Sequence, residues 1–269
     1  MVPHSLHKLL AATVIVILFA GHGADAQRAK CTDQLLSGTS PVLINEKLKT
    51  KTQKLCFSGF ALLHSGVTRT PLWSAEHLTA KRIAATEGLD RPSSSAFHAE
   101  GRLPKRERAE KADYRGSGAR FDRGHMAPNG DMPSKKAELE SFSLANVVPQ
   151  AKCHNEVMWE GIESAVRALA TRAGEVYVVT GPGFLGDTIE TLNARVSVPT
   201  NIFKAIYVPK QNAAGAYWTA NNDSQQSEPI SIAKLEELIG IDVFPELDAS
   251  VKATAMALPV PTPHFTCRP

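Results

Sequence analysis

The run Asp122-Arg123-Gly124-His125-Met126, with Asn155, Glu163 and Arg167 further along the chain, carries the residue types needed to cut a phosphodiester. Such an ester is an anion that repels nucleophiles, so its hydrolysis calls for a base to deprotonate water. An imidazole near its ordinary pKa of ~6.5 can do this at neutral pH, and His125 is the candidate. Positive charge is needed where the pentacovalent centre gathers negative charge, and Arg123 and Arg167 with a bound cation would supply it. Asn155 offers a neutral carboxamide oxygen, a hard ligand that Mg²⁺ accepts beside retained waters. Glu163 lies about two helical turns beyond Asn155 on the same face, where it could hold those waters. Asp122 reads as a turn-forming or salt-bridging residue and Trp159 as core, while His64 and His98 read as incidental. Lys204 alternates with apolar neighbours and reads as a surface lysine.

The runs Ala112-Asp113-Tyr114-Arg115-Gly116-Ser117-Gly118, Phe121 through Pro128, Leu144 through Gln150, and Asn155 through Trp159 to Glu163 follow one another at separations that resemble the DNA/RNA non-specific endonuclease family, in its endonuclease G-like branch. Weaker likeness extends from about Phe57 to the C-terminal region. The resemblance implies an α+β fold, with a ββα-metal (His-Me finger) nuclease core and a central antiparallel sheet flanked by helices. A short β-ribbon would present His125, and the following helix would carry Asn155, Glu163 and Arg167. It further implies His125 as general base and Asn155 as the only direct protein ligand to Mg²⁺, with Mn²⁺ as a substitute. Arg123 and Arg167 would act on the scissile phosphate. Arg115, Asn146 and Gln150 are assigned to substrate binding, the last two by shaping the site, and Arg91 is the candidate for an arginine the family uses upstream. His154, beside Asn155, is expected to be a surface or packing histidine in preference to a second imidazole of the site.

The N-terminus runs from a basic-tinged Met1 to Lys8 through an apolar Leu9 to Ala20 to Ala24-Asp25-Ala26, the pattern of a signal peptide over residues 1–26. That leaves a single nuclease domain over residues 27–269 and predicts a secreted or periplasmic location. The apolar run is shorter than the ~20 residues of a membrane span, and no later segment approaches that length, so no membrane association is expected after cleavage. A formal charge of +3 is too small to identify a nucleic-acid partner by itself. Its distribution says more: from Lys81 to Arg123 eleven Lys or Arg face seven Asp or Glu, an excess leading directly to His125. Of the three pairings open to Cys31, Cys56, Cys153 and Cys267, Cys31 with Cys56 and Cys153 with Cys267 are favoured. The first closes a short N-terminal loop, and the second ties the tail to the start of the candidate helix.

Among the elements, Phe57 to Leu63 and Val67 to Trp73 read as strands around a Ser65-Gly66 turn. Gly88 to Gly118 reads as a long irregular excursion, and Met126 to Ala137 as loop. Met158, Ile162, Ala165, Val166 and Leu169 recur at helical spacing, which predicts a helix from Asn155 to Thr171 stopped by Gly174. Glu175 to Thr180, Asn201 to Val208 and Ala216 to Ala220 read as strands and Ile230 to Leu238 as a late helix. The expected function is a Mg²⁺-dependent endonuclease acting on DNA and RNA with little sequence preference, because no helix-turn-helix or zinc-finger pattern is present to read base edges. A catalytically silent nucleic-acid-binding protein of the same fold and a phosphodiesterase for small substrates are the alternatives. A homodimer is compatible with the sequence.

Overall fold

The computed structural model describes Met1 and residues 31–118, 120–224, 226–262, 266 and 267. The expected signal peptide, beyond Met1 itself, lies outside the described residues.

In chain order the strands are β1 (Val42–Leu43), β2 (Thr52–Cys56), β3 (Ala61–Ser65), β4 (Thr70–Thr79), β5 (Phe121–His125), β6 (Val147–Ala151) and β7 (Glu175–Gly183). They continue with β8 (Thr191–Leu192), β9 (Val196–Ser197), β10 (Asn201–Val208), β11 (Ala213–Ala220), β12 (Glu228–Ile230) and β13 (Ile241–Asp242). Seven of them build a central antiparallel sheet in the order β12-β11-β10-β7-β4-β3-β2, while β5 and β6 pair only with each other as a ribbon. The α+β architecture and antiparallel sheet expected from the sequence are what the chain forms.

Period-2 alternation on the central strands sends neighbouring residues into different cores. On β10, Phe203 and Ala205 face one side with Trp73, Val179 and Ala216, under the helix Ile232–Ile239 and its Ile232 and Leu235. Ile202 and Ile206 face the other side with Leu78, Val178 and Tyr217, under the helix Glu160–Ala173 and its Ile162, Val166 and Leu169. Each helix supplies one apolar stripe, and the sheet is buried on both faces.

The first hairpin starts later than expected. Phe57 and Phe60 belong to a turn closed by the Phe57 amide donating to the Phe60 carbonyl (2.9 Å), with the two rings stacked at 4.3 Å, so β3 begins only at Ala61. β4 runs on past Trp73 to Thr79 because Ser74 and Glu76, polar as they are, point into buried partners. The surface reading of Lys204 is overturned for the same reason. Its side chain is 1 % exposed, its Nζ donates to Thr180 Oγ1 at 2.8 Å, and it lies 5.4 Å from the Trp159 ring centre. The register Ser74↔Thr180↔Lys204 makes these residues a buried polar stripe on the sheet face that supports the ribbon.

The excursion is largely irregular, punctuated by short 3-10 turns at Ser94–Ala96, Lys105–Glu107 and Lys111–Tyr114. The segment after Met126 is a loop until the helix Lys135–Ser141, capped by Ser134 Oγ accepting from the Ala137 amide. Disulfides join Cys31 to Cys56 and Cys153 to Cys267, as favoured. No helix among the described residues is long and apolar enough to cross a membrane.

Candidate active site

The ribbon β5–β6 presents His125 at its last position, opposite Val147. Gly124 is required there, since a Cβ on it would lie 1.9 Å from Gln150 Oε1 and 2.6 Å from Gln150 Cβ. The strand can therefore close on β6 only without a side chain at that position. The His125 ring sits between Phe97 and Phe142, with ring centres 5.2 and 5.0 Å away, and its Nε2 is buried without a partner. Burial first, then the charges of Arg91 and Arg123, push its pKa down to about 3. The imidazole is neutral and holds a lone pair available for a proton.

The predicted helix divides into two parts. His154–Trp159 is a turn of π-helix, and the α-helix Glu160–Ala173 follows it without a break. Such wide turns recur at functional sites because they re-aim a side chain. Here the turn carries Asn155, whose Nδ2 donates to Asp122 Oδ2 at 2.9 Å. A carboxylate only accepts, so Asp122 fixes the amide nitrogen toward itself. Asn155 Oδ1 has no hydrogen-bond partner among the described residues. Asp122 is thus an orienting residue that the sequence reading did not assign to the site.

A cavity of about 1320 Å³ gathers these groups. Its wall includes Arg91, Arg115, Arg123, His125, Asn155, Glu163 and Arg167, so seven of the nine residues singled out from the sequence share one space. Arg123 lies over the Phe97 ring at 4.2 Å. Arg167 donates to the buried Asp131 Oδ1 at 3.1 Å and to Ser164 Oγ at 2.9 Å. Burial raises the Glu163 carboxyl to about 7, with Lys204 and Arg167 opposing and Asp131 adding to the rise.

Asn146 and Gln150 stand apart, fully buried and outside the cavity wall. Asn146 Oδ1 accepts from Ser74 Oγ and the Ala127 amide at 2.9 and 3.0 Å, and its Nδ2 donates to the carbonyls of Ala127 and Ser141. It ties the loop after His125 to the sheet. Neither side chain lines the cavity, so any part they have in binding substrate is indirect, through support of the ribbon from beneath. His154 is a packing histidine, as expected. Thr219 Oγ1 already donates to the Ile202 carbonyl, so His154 Nε2 must donate to Thr219 (2.9 Å) while Nδ1 accepts from Gln150 Nε2 (2.8 Å).

The donor set fits a hard divalent ion. Asn155 Oδ1, with its amide nitrogen held by Asp122, has no hydrogen bond among the described residues, and Glu163 lines the same space, where it would face metal-bound waters. Among the described residues no group of three His, Cys, Asp or Glu is placed to hold a metal.

Comparison with known proteins yields the same picture. Residues 39–250 match the family model for DNA/RNA non-specific endonucleases. Nuclease C1 of Cunninghamella echinulata var. echinulata is 35% identical over 201 residues, covering 68% of this chain and 79% of that protein. The mitochondrial nuclease EXOG of Homo sapiens is 33% identical over 221 residues, covering 74% of this chain and 59% of that protein. The chain thus spans about three fifths of the length of that relative. EndoG, in the crystal structure of the EndoG/EndoGI complex, superposes with a TM-score of 0.66 at 27% identity, covering 75% of this chain and 89% of that one. The relatives named EXOG and endonuclease G are mitochondrial proteins, which overturns the secreted or periplasmic location expected from the N-terminal pattern.

Proposed function

Because the chain belongs to the DNA/RNA non-specific endonuclease family, we propose that it is a Mg²⁺-dependent endonuclease that hydrolyses DNA and RNA with little sequence preference. The observation that carries the reading is the opening of a neutral His125 and an oriented Asn155 carboxamide into one cavity with Arg123, Arg167 and Glu163. His125 takes the proton of the attacking water. Arg123, steadied on Phe97, and Arg167, steadied by Asp131, grip the nonbridging oxygens, and Arg91 and Arg115 bind the strand at the cavity's edge. Mg²⁺ held by Asn155 Oδ1, with Mn²⁺ as a substitute, would neutralise charge on the scissile phosphate and the leaving oxygen. Glu163, on the same cavity wall, would accept hydrogen bonds from water bound to that ion.

Incubating the purified protein with supercoiled DNA, single-stranded DNA and RNA, with and without Mg²⁺, tests this directly. All three are expected to be cut, and EDTA to stop the reaction. Full activity in EDTA would sink the metal assignment, and the absence of cleavage would favour a silent nucleic-acid-binding protein. Cleavage of small diesters that long DNA does not compete away would favour the small-substrate phosphodiesterase.

Asp122 gives a sharper test of how the metal ligand is aimed. Asp122→Ala is expected to raise the Mg²⁺ concentration for half-maximal rate by roughly 10–100-fold, the usual effect of losing a residue that orients a ligand. An unchanged Mg²⁺ titration would show that Asn155 needs no such partner.

The pH dependence follows from Glu163. Its carboxyl titrates at about 7 in the free protein because burial disfavours the charge. Raised above the unfolded value, it favours the protonated folded form, so its contribution to metal-free stability is lost as pH rises through about 7. Activity needs the opposite, ionised form. At limiting Mg²⁺, kcat/KM should rise with pH through about 7, and saturating Mg²⁺ should shift the rise to lower pH. His125, already neutral, does not set that rise. A rise that survives in Glu163→Gln would assign it to another group.

A further inference from the structure

The excursion that walls the cavity adds no strand to the central sheet, yet it is pinned with unusual care from one small hairpin. Between β8 and β9 the tip residues Asn193 and Ala194 both adopt left-handed backbone, with φ of 48° and 55°. Asn takes this conformation readily and Ala does not, so the tip persists because its surroundings over-determine it. The next residue, Arg195, donates through Nε to Asp113 Oδ1 at 2.7 Å and through Nη2 to the Arg108 carbonyl at 3.2 Å. Asn193 Nδ2 donates to the Asp113 carbonyl at 2.7 Å, and Arg69 Nη1 holds the Arg195 carbonyl at 2.6 Å. Asp113 is 5 % exposed, and its other oxygen accepts from the Glu110 amide at 2.8 Å.

What the clamp holds is the turn Asp113-Tyr114-Arg115. Tyr114 and Arg115 line the cavity, and the Arg115 guanidinium makes no ion pair among the described residues. Leu192 and Val196 of the hairpin pack with Phe97, Tyr114, Phe121 and Phe142, so one cluster seats both this turn and the two rings that flank His125. The clamp therefore sets how far a free cation stands from the reacting centre.

We propose that Arg195 is a positioning residue: acting through Asp113, it fixes Arg115 against a phosphate that flanks the scissile one on the same strand. Arg195 does not line the cavity and touches no substrate. The proposal rests on the endonuclease reading, which supplies the strand.

The test compares wild type, Arg195→Ala, Arg195→Lys, Asp113→Asn and Arg115→Ala on a single-stranded oligonucleotide across a salt series. Bis(p-nitrophenyl) phosphate, a diester with no flanking phosphate, serves as the minimal substrate. Arg195→Ala and Asp113→Asn are expected to raise the oligonucleotide KM about 5–10-fold and to flatten the dependence of log KM on log salt by ~0.7, one single-strand phosphate contact. Cleavage of the minimal diester should stay within about twofold, and adding Arg115→Ala should change nothing further, because the two residues act on one contact. Arg195→Lys keeps the charge but not the fork that holds two acceptors, and should lose part of the same effect. If Arg195→Ala fails to fold, Asp113→Asn and Arg195→Lys decide alone. Additive losses, equal losses on both substrates, or an unmoved salt slope would overturn the proposal. Wild type that cleaves neither substrate would instead overturn the endonuclease reading, and the proposal with it.

Discussion

His125→Ala is expected to lower kcat by at least ~10²-fold, the scale of a general base, while KM for DNA stays within about twofold. The separation of the two parameters follows from where the charges are. In the proposed mechanism the strand is gripped by Arg91, Arg115, Arg123 and Arg167, which line the cavity, and a neutral imidazole adds nothing to that grip. The ring's seat between Phe97 and Phe142 makes the variant informative, since both walls remain to exclude water after the imidazole is gone. Steady-state kinetics on a defined oligonucleotide measure it, and near-normal kcat would remove His125 from the mechanism.

Asn155→Ala should be nearly as damaging, with activity at millimolar Mg²⁺ reduced by ~10²-fold or more and recovered, if at all, only at far higher metal concentration. A conservative-looking alternative is instructive. Asn155→Asp would place a second carboxylate 2.9 Å from Asp122 Oδ2 where an amide now donates, and like charges so close cannot both ionise freely. Its Mg²⁺ dependence is therefore expected to become strongly pH-dependent, tightening as pH rises. Mg²⁺ titrations of both variants, by rate and by calorimetry, check this. A wild-type titration for Asn155→Ala would move the ligand elsewhere.

Much of the site was legible because its residues are close in sequence or one helix apart. Phe121 to His125 announced itself by composition, and the spacing from Met158 to Leu169 placed Glu163 and Arg167 on one helix. What escaped were relations across the fold. Asp122 reads as a turn residue until Asn155, brought back from the far side of the ribbon, is seen donating to it. Ser74, Glu76 and Lys204 break the apolar alternation of their strands, and such a break looks like a solvated face. Only the register Ser74↔Thr180↔Lys204 shows polar groups partnering one another inside the molecule. Asn146 and Gln150 are close in sequence to the site but are fully buried outside the cavity wall, Asn146 bonded to Ser74 and the loop after His125 and Gln150 to His154. Arg195, far from every motif in sequence, offered no signal at all.

The wide turn at His154–Trp159 has a bearing on how this chain tolerates changes in length. A regular α-helix advances about 100° per residue and the wide turn takes up one residue more, so a substitution that let it relax to ordinary winding at unchanged length would swing Asn155 by roughly that angle relative to Glu163. No side chain of the active site would have been altered, and the apolar stripe of Ile162, Val166 and Leu169 would still bury itself against the sheet. The molecule would fold and lose its chemistry. Deleting one residue there would instead remove the extra residue of the wide turn and leave Asn155 and Glu163 aligned, so within these few positions the winding matters more than the residue count.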